Sequence, residues 1–163
     1  MAHAQSLNRA AFILWAMLAP AILVGCRTSP TPDPRPSLAD WTIRTAQALW
    51  RPSADAQDIA GEVLLATDDA GGVVIEFSKG GLPITSVQAS SEPARWRLDL
   101  LTRRRSIGGS GPPPPRSAWL VLAHDLAHLP PPAGWDLLFP APGRLRLTCA
   151  QTGEHLELQL LSD

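Results

Sequence analysis

Between residues 94 and 101 the chain reads ARWRLDLL, and it alternates. Trp96, Leu98 and Leu100 fall on one side, and Arg95, Arg97 and Asp99 on the other. A period of two is the period of a β-strand, and apolar residues on one side alone mean one buried face and one wet face. The carboxyl end repeats the pattern. In RLRLTCA, Leu145, Leu147 and Cys149 share a face; in HLELQLL, Leu156, Leu158 and Leu160 share a face. The QTGE between them contains Gly153, as longer hairpin loops often do. A chain with this patterning is built for antiparallel sheet.

Other stretches carry strand patterns separated by turn signals. IAGEVLLAT (59–67) is followed by DDAGG, and VVIEF (73–77) is β-branched and aromatic. SKGG then turns into LPITSVQAS (82–90), and WDLLF (135–139) is a further short strand. RRRSIGG after the alternating segment either continues that ribbon or leaves it. Long βαβ units are absent, which excludes a parallel doubly wound sheet. Two segments predict helices. LADWTIRTAQALW (38–50) places Trp41, Thr45 and Ala48 along one side, with Ser37 or Asp40 to cap it and Pro52 to stop it. A strand is the alternative for its first half. SAWLVLAHDLAHL (117–129) is a short helix capped by Ser117 and ended by PPP, after the low-complexity loop GGSGPPPPR (108–116). The fold class is therefore α+β, mainly antiparallel β: about six or seven strands in a curved sheet, its concave face covered by one or two helices.

The amino-terminal 25 residues read as a leader, not as part of this fold. MAHAQSLNRA is polar and carries Arg9; AFILWAMLAPAILVG is apolar and free of charge. That run is too short for a comfortable bilayer span and right for a secretory hydrophobic region. It ends in LVGC (23–26), which resembles a bacterial lipobox, with cleavage before Cys26 and acylation of its thiol. In enterobacterial lipoproteins Asp after the cysteine favours inner-membrane retention, so Arg27 points to the outer membrane. RTSPTPDPRPS (27–37) has four prolines and no large apolar side chain, and reads as an extended tether. The expected organisation is a lipoprotein signal peptide at 1–25, a lipidated cysteine and tether at 26–37, and one domain at 38–163. The net charge of −1 gives no basic field for nucleic acid.

Catalytic motifs are few. HDLAH (124–128) has the spacing of the zinc-protease motif H-E-x-x-H, with Asp125 in place of glutamate. On a helix, Trp119, Leu122, Ala123 and Leu126 cluster on one face, and His124 and His128 fall roughly opposite, towards solvent or an opening. A zinc site needs a third ligand, and Glu154, His155 and Glu157 sit in the hairpin strand. No G-x-S-x-G, P-loop or dinucleotide fingerprint occurs, and Cys149 has no activating base near it in sequence. The expectation is a protein that is not an enzyme, with no catalytic residue, no metal and no cofactor beyond a covalent lipid on Cys26. Arg103–Arg105 is either a solvated strand end or a contact for anionic headgroups. Trp41, Trp50, Trp96, Trp119 and Trp135 either build the core or line a cavity.

Over residues 59–162 the chain resembles the LolB family of outer-membrane lipoproteins. GEVLLATDDAGGVVIEFSKGGLPITSVQA resembles its paired strands around a Gly-containing turn, GPPPPRSAWLVL its Pro-rich loop before a helix with a Trp-Leu pair, and GWDLLFPAPGRLRLTCAQTGEHLELQLL its final strands. The resemblance implies a half-open β-barrel with an apolar cavity lidded by helices. It implies binding of acylated lipoproteins received from a periplasmic carrier and passed to the membrane. Candidate lining or lid residues are Trp41, Trp50, Trp96, Trp119, Leu122, Leu126 and Trp135. The family's membrane-proximal loop corresponds to Lys79, Gly80, Gly81 and Leu82, with Leu82 past the turn and not at its tip. The competing expectation is a structural or assembly lipoprotein that binds a protein partner of the envelope, with a filled core and an exposed apolar patch.

Overall fold

The computed structural model describes residues 41–92, 94–130 and 132–161. The expected signal peptide, Cys26, the tether and residues 38–40 lie outside the described residues.

Nine strands form one antiparallel sheet: β1 (Trp41–Arg51), β2 (Ile59–Asp68), β3 (Val73–Lys79), β4 (Leu82–Ser91), β5 (Ala94–Leu100), β6 (Arg105–Ser110), β7 (Trp135–Ala141), β8 (Arg144–Cys149) and β9 (His155–Leu160). Their order is β6-β5-β4-β3-β2-β1-β9-β8-β7, so β1 and β9 join two meanders. The sheet is open, with β6 and β7 as its edges. One α-helix, α1 (Ala118–Leu126), lies against the inner face and packs on β3, β4 and β8.

The helix expected over 38–50 is a correction. Its described part is β1, an 11-residue strand in the middle of the sheet. Ala46, Ala48 and Trp50 are buried while Ile43, Thr45 and Gln47 are exposed, a period of two. The segment has no local feature that excludes a helix. Pairing with β2 on one side and β9 on the other supplies two ladders of backbone hydrogen bonds, and this tertiary context overrides a weak local preference. The chain thus has nine strands and one α-helix among the described residues, more sheet and less helix than its sequence predicts.

The turns follow their residues. Gly80 and Gly81 have φ of +58° and +77° and join the Lys79–Leu82 pair, the two-residue geometry that suits strand twist. Asp68 closes the β2–β3 turn, its carboxylate accepting from the Gly72 amide at 2.5 Å. RRRSIGG continues the ribbon: one 3-10 turn (Leu101–Arg103) ends on Arg104 in a left-handed conformation, then β6 returns along β5.

The inner face carries the core. Val63, Ile75, Phe77, Val87, Leu98, Leu147 and Leu156 are each at most 3% exposed and form one core cluster with the buried helix residues. Every helix residue from Ala118 to Ala123 is buried, Leu120 and Val121 included. A helix apolar on all sides is enclosed on all sides. Phe77 stacks on Trp119 at 4.9 Å, and Trp50 meets both edge-on at 6.0 and 5.6 Å.

Candidate functional site

Helix α1 begins where its residues dictate. The Ser117 hydroxyl accepts from the Leu120 amide at 3.4 Å, the expected N-cap. A second group serves the same end. The Glu154 carboxylate, carried by the β8–β9 turn and 5% exposed, accepts from the Ala118 amide and from the Trp50 indole N–H, both at 3.0 Å. Burial pushes this carboxyl above its ordinary range, and the two donated hydrogen bonds pull it back in part. One buried acid therefore ties the helix, β1 and the terminal hairpin together.

The helix stops earlier than its sequence predicts, at Leu126 instead of Leu129. His128 has φ of +57°; its amide donates to the Asp125 carbonyl, and the Leu129 amide to the His124 carbonyl. This is a Schellman ending with histidine where glycine is usual. The two imidazoles of HDLAH therefore do not stack along one helical turn. His124 is half-buried with Nδ1 enclosed and unpartnered among the described residues, and His128 is exposed beyond the helix. Glu154 sits at the opposite end of the helix, and Glu157 pairs with Arg146 at 2.6 Å and lies 3.4 Å from His155. No three His, Cys, Asp or Glu side chains are grouped to hold a metal among the described residues.

Past Ala123 the helix no longer seals the sheet. There a cavity of about 550 Å³ opens beneath the last helical turn, at the end of the sheet where β1 begins and β9 ends. Leu65, Leu145, Leu158 and Leu160 form its floor, Leu122 and Leu126 its roof, and Phe139 one wall. Arg44, Arg144, Asp68, Asp69, Asp125 and His128 ring it. Arg144 donates to Gln159 at 2.5 Å, and Arg44 has no ion-pair partner among the described residues. Burial raises the Asp125 carboxyl, opposed by the nearby imidazoles of His128 and His124. The volume lies within the roughly 300–1,000 Å³ of small-molecule pockets, and an apolar floor with a charged rim suits an amphiphile.

Of the seven expected lining residues, Leu122 and Leu126 line this cavity. The tryptophans do not. Trp50 and Trp119 fill the core, and buried Trp135 donates its indole N–H to the Pro115 carbonyl at 3.0 Å. Trp96 flanks a groove along β6 with Ile107 and Arg105, and Trp41 is half-buried at the start of β1. The Lys79, Gly80, Gly81 and Leu82 loop is exposed, Leu82 by 73%, at the opposite end of β2 and β3 from the cavity. Sequence reasoning missed Thr42, Arg44 and Phe139. Read as strands, 41–50 aligns Thr42 and Arg44 with buried Ala46, Ala48 and Trp50, and 135–139 aligns Phe139 with buried Trp135 and half-buried Leu137, so the period-two alternation carries the signal for all three.

No helix among the described residues is long and apolar enough to cross a membrane. No protein-family model matches the chain, and no curated protein matches it.

Proposed function

We propose that this is a lipid-anchored, non-enzymatic envelope protein of the LolB-like type, held through Cys26 on the periplasmic face of the outer membrane. It takes up an acyl chain, free or borne by a lipidated protein, in the cavity under α1. The observation that carries the reading is the leucine-floored cavity beneath a partly open helix. Burial of each methylene contributes about 0.8 kcal/mol, so an acyl chain needs no polar partner inside to be held. The half-barrel form of the sheet has its own support. Helix α1 touches both β4 and β8, five strand spacings apart in the sheet order. Laid flat, those strands would be about 24 Å apart, well beyond the roughly 10–12 Å width of a helix, so the contacts favour a sheet that wraps around it.

The test is native purification of the full-length protein from membranes, with extraction of bound lipid and crosslinking to neighbouring lipoproteins or a periplasmic carrier. Bound acyl chains or such a crosslink are expected; finding neither overturns the reading. Substituting Cys26→Ser checks the anchor separately, by loss of acyl labelling.

The second reading, an assembly lipoprotein with a protein partner, is favoured by edge strand β7. Its Leu138 and Phe139 are 56% and 65% exposed beside unpaired backbone, where a partner strand can add. An occupied cavity in the purified protein decides against it.

A further inference from the structure

The sheet end opposite the cavity carries a second feature. Strand β5 leaves the sheet at Leu100, opposite Thr85 of β4, and β4 starts three residues earlier at Leu82. The 3-10 turn after β5 and the Gly80-Gly81 hairpin tip therefore lie side by side at one end of the sheet. The turn holds Leu101, 42% exposed, followed by exposed Arg103, Arg104 and Arg105. None of these arginines has an ion-pair partner among the described residues. The hairpin tip adds Lys79 and Leu82. Acids in the neighbouring β1–β2 loop are Asp55 and Asp58, and Asp58 is taken by Arg51 at 2.7 Å. The turn is also fixed in shape: Arg104 adopts φ of +48° and its amide donates to the Leu101 carbonyl.

We infer that the Leu101–Arg105 turn is a docking surface for a membrane rich in anionic phospholipid. Its guanidinium groups take the phosphates, and Leu101 dips among the acyl chains. Charge complementarity selects this occupant. The chain carries a net charge of −1, so the turn is a local concentration of cations and not part of a general basic field. An exposed apolar side chain beside several cations is the composition of a membrane-surface segment. Attachment at Cys26 permits it. The 15 residues from Cys26 to Trp41 reach at most about 50 Å, more than the roughly 36 Å length of β1. The inference rests on the anchoring reading for its setting, yet its test does not.

The experiment uses the full-length chain with a polarity-sensitive fluorescent amino acid at exposed position 102. It is titrated with vesicles of phosphatidylcholine alone and of phosphatidylcholine with phosphatidylglycerol. A blue shift is expected with the anionic vesicles and not with the neutral ones, reversed by raised salt in the unmutated chain. Removing one arginine, by Arg103→Ala or Arg105→Ala, should weaken the titration midpoint about fivefold, while Arg95→Ala at the far end of β5 should leave it in place. The same spectrum with both vesicles, whether shifted or not, overturns the inference. So does a midpoint that neither alanine variant moves. Flotation with the neutral vesicles reports separately on Cys26, so anchoring and docking fail independently.

Discussion

Glu154 shows what a single buried acid does in this fold. Its carboxylate satisfies the first amide of α1 and the Trp50 indole, two donors that have no water to turn to. Replacing it by alanine strands both, and each unsatisfied buried donor costs about 1–3 kcal/mol. We expect Glu154→Ala to lower stability by a few kcal/mol in denaturant unfolding, and Glu154→Gln, which keeps an acceptor, to retain most of it. The two differ again in pH response. Because burial raises this carboxyl in the folded state, folding binds a proton more tightly than the unfolded chain does. Stability from this group is thus full below the ordinary glutamate range and is lost as pH rises through the raised folded value. The wild type should gain stability on acidification across that window, and Glu154→Gln should lose this component of the profile. His128 gives a prediction of opposite sign. A non-glycine residue in the left-handed region is disfavoured by about 1–2 kcal/mol, so His128→Gly should raise the melting temperature. The sequence named both residues as candidate metal ligands. It could not show that one lies at the start of the helix and the other beyond its end.

At the scale of elements, legibility follows the strength of the local signal. The alternation of Trp96, Leu98 and Leu100 appears as β5, and the terminal hairpin appears as β8 and β9 with the expected inward leucines. Ser117 caps α1, as its position before an apolar run predicts. Residues 41–50 misled because Ala, Gln, Arg and Thr there suit either state, and the deciding ladders come from β2 and from β9, over a hundred residues away. The cavity was legible only in pieces: its roof leucines and inward hairpin leucines were visible, but not the early helix stop that exposes them. The shared helix start yields a test at this scale. Ser117→Ala should cost about 0.5–1 kcal/mol, at the low end for a cap because its bond is long. Combined with Glu154→Ala the effects should not add, since both groups serve the same end of α1. An additive double variant in urea titrations would separate the cap from the acid.

At the scale of the whole molecule, the two ends of the sheet differ in what they present. One end closes over a leucine-floored cavity with Arg44 and Arg144 at its rim, and the other presents the Leu82 and Leu101 turns with their cations. The proposed function makes the first end an occupant site, and occupancy is a stability term. A ligand present at about a hundred times its dissociation constant stabilises the folded state by about 2.7 kcal/mol. The full-length protein should therefore melt several degrees higher with a long-chain fatty acid or lysophospholipid, and not with its short-chain homologue, which buries too few methylenes. Leu145→Arg places a charge on the cavity floor at a half-buried position, where the side chain can reach the rim and the core is left intact. It should abolish the ligand-induced shift while lowering the unliganded melting temperature only slightly. A melting temperature that no acyl amphiphile moves in the wild type would mean the cavity is not the site of cargo, and would transfer the weight to the exposed β7 edge.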